Sequence, residues 1–152
     1  MRYTEIDLQI EDIMWFGIDL NGYIFSCTTA GTANVPEFVC KSKEQTEFLA
    51  DYFIEKLEKT TAETLETPYT DNPLMNDAVL LAQKGIFVFD AVSNRSEQYG
   101  NYTKIASPKT PIQYNLLPDE IKKSCKNTRF QLMQRKKSIF VSNTHIKKVH
   151  YG

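Results

Sequence analysis

Carboxylates, thiols and imidazoles are the side chains in this chain with chemistry to offer, and their spacing limits what they can do. Glu47, Asp51, Glu55 and Glu58 recur every three or four residues, the nearest approach to a paired-carboxylate array. Acids at i and i+4 share one helical face. With nothing nearby to raise one pKa for acid work, they read as a solvated face and not as a catalytic pair. Asp19 and Asp90 both fall near the ends of expected strands and could share a site, although an Asp at a tight turn commonly accepts backbone amides. His145 and His150 lie within the last eight residues, where chain ends fray and geometry is hard to hold. Their spacing of five misses the i, i+4 pair of a helical zinc site. Cys27, Cys40 and Cys125 are odd in number and lack CxxC spacing, which speaks against a disulfide framework and a zinc knuckle. They read as packed free thiols. The sequence contains no GxSxG elbow, Walker loop or GxGxxG. No catalytic residue, metal or cofactor is expected.

The elements that must position these groups are legible in outline. Ile13–Asp19 and Tyr23–Thr29 are rich in β-branched and aromatic residues, and Asn21-Gly22 supplies the positive φ of a tight hairpin turn. Alternation places Trp15, Gly17 and Asp19 on one strand face and Met14, Phe16 and Ile18 on the other, with the second set facing the core and Trp15 near the surface or against a neighbouring element. Ala30–Pro36 is an irregular loop of small residues closed by a proline. Ser42 and Gln45 form a capping-box pattern, and Phe48, Leu49, Tyr52, Phe53 and Leu57 carry a helix to about residue 59. The run TTAETLETPYT reads as a loop. A second helix opens at Asn72-Pro73 and stops at Gly85. IFVFDAV follows as a strand with Phe87 and Phe89 on one face and Ile86, Val88 and Asp90 on the other. A polar connection at Ser93–Asn101 leads to a returning strand at Tyr102–Ala106. Pro108 and Pro111 allow only a short extended piece at Ile112–Tyr114. A brief helix runs from Leu117-Pro118 to Cys125, and Arg129–Met133 with Ser138–Val141 read as a last hairpin around Gln134–Lys137. The sum is an α+β fold: a single domain over residues 1–152, with an antiparallel sheet of hairpins, two main helices packed on it and a short third.

Bulk composition supports that expectation and narrows the class. A chain of 152 residues with 41% apolar and 12% aromatic residues buries one sizeable core without staples. No apolar run approaches the roughly 18–20 residues that cross a bilayer, and MRYTEIDLQIED carries acids where a secretory signal would be apolar, so a cytoplasmic protein without a membrane partner is expected. Charge is unevenly distributed: residues 1–100 hold 7 Lys or Arg against 17 Asp or Glu, and residues 101–152 hold 11 against 2. The two portions could neutralise each other within one domain, or the acidic portion could meet a basic partner. A third possibility is a phosphate-binding surface built from Lys122, Lys123, Lys126, Arg129, Arg135, Lys136, Lys137, Lys147 and Lys148. That reading lacks the overall basic balance and motif of a nucleic-acid module.

The segments WFGIDLNGYI and TTAGTANVPEFV, followed by an amphipathic helix, resemble a family of small, mostly uncharacterised bacterial proteins. In that family a WF-x-x-D-x-x-G-x-I hairpin leads to a T-x-G-x-x-x-VP segment. KGIFVFDAV and YTKIASPKTPIQYNLLPDEI continue the resemblance, which spans about residues 12–124. Proteins of this appearance occur among suspected immunity proteins of toxin systems, so the resemblance implies a cytoplasmic, non-enzymatic protein that binds and neutralises a bacterial toxin domain. No toxin-contacting residues come with it. Ala30-Gly31 stands where a pair of glycines is expected, which weakens the case for an anion-binding nest. The partner surface is expected on exposed acids and aromatics: Trp15 and Tyr23 on the hairpin, Glu47, Asp51 and Glu55 on the first helix. The alternatives are a nucleic-acid accessory protein using the basic C-terminal third, and an enzyme with a site near Ala30–Pro36 lined by Asp19, Thr28, Thr29 and Tyr99.

Overall fold

The computed structural model describes residues 1–29, 35–65, 75–91, 101–125 and 138–140. The hairpin forms as the sequence dictates. Strands β1 (Met14–Ile18) and β2 (Ile24–Thr28) pair antiparallel, with Met14 opposite Thr28 and Ile18 opposite Ile24. Gly22 takes φ +83° in the turn, a conformation that costs glycine no Cβ clash. Asp19 Oδ1 accepts the N–H groups of Asn21 at 2.8 Å and Tyr23 at 2.9 Å.

Among the described residues four further strands join the same sheet: β3 (Glu63–Leu65), β4 (Phe87–Ala91), β5 (Asn101–Pro108) and β6 (Ser138–Phe140). The order is β1-β2-β4-β5-β3, and β6 also pairs with β5. β6 lies beside Asn101–Thr103 and β3 beside Ala106–Pro108, so the two short strands share one edge of β5. The α+β class holds, and four of the five pairings are antiparallel. The exception is β2–β4, which runs parallel with Phe25 beside Phe87 and Thr28 beside Asp90. A parallel neighbour needs a long crossover, and the described part of that crossover carries three α-helices, a π-helical turn and β3.

Both faces of the sheet are covered. On one, Trp15, Phe25, Cys27, Phe87, Phe89 and Tyr102 pack under Tyr3, Leu8 of α1 (Glu5–Ile10), and Val39 and Cys40 of α2 (Glu37–Cys40). Trp15 meets Phe25, Phe38 and Tyr102 edge-on, with ring centroids 5.6–5.9 Å apart. Its indole Nε1 donates to the Tyr102 hydroxyl at 3.2 Å. Phe25 lies directly over Gly17: a Cβ there would sit 2.5 Å from the ring. On the other face, Phe16, Ile18, Ile24, Val88 and Ile105 pack under α3 (Lys43–Asp51), α4 (Asn76–Gln83) and α5 (Asp119–Cys125) through Leu49, Ala78, Leu81 and Ile121.

Local chemistry sets the helix ends. Ser42 Oγ accepts the Gln45 N–H as the capping pattern predicts, but the Gln45 side chain donates to the Ser124 carbonyl at 2.7 Å and so ties α3 to α5. After Asp51 the helix widens into a π-helical turn, Tyr52–Lys56, closed by the Leu57 N–H on the Tyr52 carbonyl. Lys84 Nζ donates to the Phe53 and Ile54 carbonyls of that turn. Burial holds the Lys84 ammonium below its ordinary pKa. Gly85, at φ +97°, terminates α4 as expected.

Several expectations need correction. Trp15 is fully buried, because α1 and α2 roof the face it points to, and it offers nothing to an outside partner. The first helix ends at Lys56, short of residue 59, with Leu57 extended. Part of the expected loop 60–70 is β3, since Glu63–Leu65 find an edge of β5 to pair with. Ser138–Phe140 is a strand whose partner is β5. Gln113 makes an isolated bridge to Tyr23, and Tyr114–Leu116 forms a 3-10 turn. Asn72-Pro73, Ala30–Asn34, Ser93–Gly100, Arg129–Met133 and the Gln134–Lys137 turn lie outside the described residues. Among the described residues no helix is long and apolar enough to cross a membrane.

Candidate functional site

The expected partner residues separate into three environments. Glu47, Asp51 and Glu55 are exposed on α3 and the π-helical turn. The wider turn shifts Glu55 off the strict i, i+4 line through Glu47 and Asp51, and Glu58 falls beyond the helix end. Tyr23 is half-buried at the hairpin turn, its ring 6.0 Å from that of Phe87. Trp15 belongs to the core.

Beside the acids runs a groove of about 180 Å³ between α3 with its π-helical turn and α5, lined by Phe48, Asp51, Tyr52, Lys56, Pro118, Glu120 and Ile121. Phe48 is 37% exposed, a large apolar surface for an outward helix position. Asp51 and Lys56 form an exposed ion pair at 3.7 Å, a geometry that contributes little to stability and leaves both groups free to re-pair. Elsewhere the acidic portion is partly neutralised by its own few bases. Arg2 holds Glu37 with two hydrogen bonds of 2.8 and 2.9 Å, and Lys43 pairs with Glu11 at 3.2 Å.

A second concavity lies at the carboxyl ends of the parallel strands. The cavity measures about 190 Å³, with Met14, Leu81, Val88 and Ile105 forming an apolar floor and Asp12, Asp77, Asp90, Thr28 and Met75 among its other walls. Asp90 Oδ1 accepts the Ala91 N–H at 2.9 Å. Burial raises the Asp90 carboxyl above the ordinary range, that hydrogen bond opposes the rise, and the negative charge of Asp12 adds to it. Sequence alternation does put Asp90 on the Val88 face. It does not reveal that a parallel pairing sets Asp90 beside Thr28, nor that the first turn of α4 brings Asp77 to the same wall.

Of the described residues named for a site near Ala30–Pro36, Thr28 alone lines this cavity, and Ala30–Asn34 lie outside the described residues. Thr28 lines the cavity, but Thr29 is spent on structure: its hydroxyl accepts the Ile13 N–H at 2.9 Å and donates to the Glu11 carbonyl at 3.3 Å. Asp19 lies at the hairpin end of the sheet, whereas Asp90 lies at the other end, aligned with Thr28 and so with Met14 at the start of β1. The two aspartates share no site. Tyr99, His145 and His150 lie outside the described residues.

The thiols are poor nucleophiles. All three cysteines are buried, and burial pushes Cys40 and Cys125 up to about 12 and Cys27 well above its ordinary value. Among the described residues no three His, Cys, Asp or Glu side chains converge closely enough to hold a metal ion. Of the basic set, Lys122 pairs with Asp119 at 3.4 Å and Lys123 is exposed, while Lys126, Arg129, Arg135–Lys137, Lys147 and Lys148 lie outside the described residues.

No family model matches the chain, and no curated protein and no solved structure matches it.

Proposed function

We propose that this chain is a non-enzymatic binding protein that neutralises a bacterial toxin domain, as immunity proteins do. The observation that supports the reading best is the outer face of α3, where exposed Glu47, Asp51 and Glu55 stand beside the part-exposed ring of Phe48 and the groove against α5. A negative face accelerates capture of a basic partner by steering its approach. An aromatic at the edge of a groove supplies the desolvated anchor on which tight interfaces depend. Toxin nucleases are commonly basic, which makes such a face complementary to them.

The test is to co-express the chain with the product of the adjacent reading frame. Co-purification and relief of that product's toxicity are the expected results, and independence in both assays overturns the proposal. Within a confirmed complex, reversing Glu47, Asp51 and Glu55 to lysine slows association at low salt by about tenfold or more, with a smaller effect at high salt. Phe48→Ala acts on dissociation instead. Stopped-flow traces at two ionic strengths separate the two effects.

A further inference from the structure

We propose that Lys84 is a positioning residue for the outer face of α3: its buried side chain locks the π-helical turn and so sets where Glu55 and Lys56 stand beside the groove. The use of this lock rests on the toxin-binding reading; its mechanism rests on the turn alone.

In an α-helical register the Leu57 N–H would reach the Phe53 carbonyl, four residues back. In the π register it is spent on Tyr52, five residues back. Leu57 itself is extended, so the chain offers no further helical amide to Phe53 or Ile54. These are the orphan carbonyls that a helix end leaves. Lys84 Nζ donates to both, at 2.8 Å to Phe53. The wide turn and the lysine therefore require each other. Without the ammonium, the Phe53 carbonyl regains a partner by taking the Leu57 amide, and the turn narrows to the α register.

The end of α4 is built to hold this lysine still. Lys84 is 4% exposed and is the C-cap of α4, ahead of Gly85 at φ +97°. Beside it the Gln83 carbonyl accepts the Thr60 and Thr61 N–H groups at 2.8 and 3.0 Å, so one helix end grips the chain on both sides of Leu57. Burial disfavours the ammonium, the charge of Glu55 favours it and that of Lys59 opposes it. The carbonyls it meets form the negative end of the helix. Phe53 is anchored in the core against Phe16, with ring centroids 4.7 Å apart, so a change of register falls on the residues after it. A step of one residue is a rotation of about 100°, which carries Lys56 away from Asp51 and off the groove wall that it now forms.

The test uses the full chain labelled with ²H, ¹³C and ¹⁵N and reads scalar couplings across hydrogen bonds. In the wild type, couplings are expected from Lys84 Nζ to the Phe53 and Ile54 carbonyl carbons, and from the Leu57 nitrogen to the Tyr52 carbonyl carbon. In Lys84→Met the Leu57 coupling should pass to Phe53, with the amide signals of β1 and β2 in place as proof of folding. Lys84→Arg, which keeps a cationic donor, should keep the Leu57–Tyr52 coupling. In the complex with the co-expressed product, Lys84→Met should speed dissociation roughly tenfold, and Lys84→Arg should stay within about twofold of the wild type. Absent Nζ couplings in the wild type, an unmoved Leu57 coupling in folded Lys84→Met, or its equal loss in Lys84→Arg would overturn the lock. The wild type and Lys84→Arg decide the matter if Lys84→Met fails to fold. A moved coupling with unchanged dissociation overturns the positioning role alone. If no complex forms, the toxin-binding reading falls and the positioning role with it, while the couplings still establish or refute the lock.

Discussion

The two ends of the sheet each hold an aspartate at a strand terminus, and they use it in opposite ways. At the hairpin end, Asp19 is 1% exposed and commits Oδ1 to two backbone amides that fix the turn, while its Oδ2 is buried without a hydrogen-bond partner. At the far end, β2 and β4 run out side by side with no turn to join them, and Asp90 lines a cavity with its carboxyl pushed toward the neutral form. The antiparallel pair closes on itself through a turn held by one oxygen of Asp19. The parallel pair ends in a rim where Asp90 lines a cavity and holds only the Ala91 amide next to it.

The sharpest way to break this contrast is to remove each carboxylate. Asp19→Ala strands the Asn21 and Tyr23 amides and is expected to cost about 2–4 kcal/mol in urea unfolding, since an orphaned buried partner costs about 1–3 kcal/mol. Asp90→Ala should cost less than half as much; equal losses would mean that Asp90 is as structural as Asp19. A smaller effect is expected at Gly22. An alanine there keeps φ +83° at a cost of about 1–2 kcal/mol. Its Cβ would also stand 2.6 Å from Gln113 Oε1, but that is the end of a flexible side chain, so Gly22→Ala in a Gln113→Ala background should retain most of the loss. Near-complete rescue would shift the cause from backbone conformation to crowding.

The smallest effect concerns pH. The folded state raises the Asp90 pKa above its unfolded value near about 3.9, so the fold holds its proton more tightly. This group's contribution is therefore favourable at low pH and is lost as pH rises through the raised value. Asp90→Asn removes that decline, and its urea midpoint should exceed that of the wild type near neutrality and converge with it toward about pH 4. Parallel midpoint curves for the two proteins would contradict the shifted carboxyl.

Local chemistry made much of this legible beforehand. Asn21-Gly22 fixes the hairpin, Ser42 caps α3, Gly85 ends α4, and the alternation of Phe87 and Phe89 against Val88 sets the two faces of β4. What escaped was set by contacts distant in sequence. Trp15 could lie near the surface or against a neighbouring element because alternation shows which face a side chain takes and not what covers that face; the roof is α1, whose Thr4/Asp7 capping box was present in the sequence, with the four-residue α2. β3 is three residues long with half-exposed and exposed side chains, too short for a period to register. The cavity depends on the parallel register of β2 and β4, which no local pattern encodes.

The Phe25 ring occupies the volume that a side chain at position 17 would need, so position 17 cannot gain a side chain while that ring stays in place. A relative of this chain that keeps an aromatic at this place across the hairpin should keep a glycine two residues after its Trp15 counterpart. That coupled pair is a signature by which distant kin can be recognised when overall identity has faded.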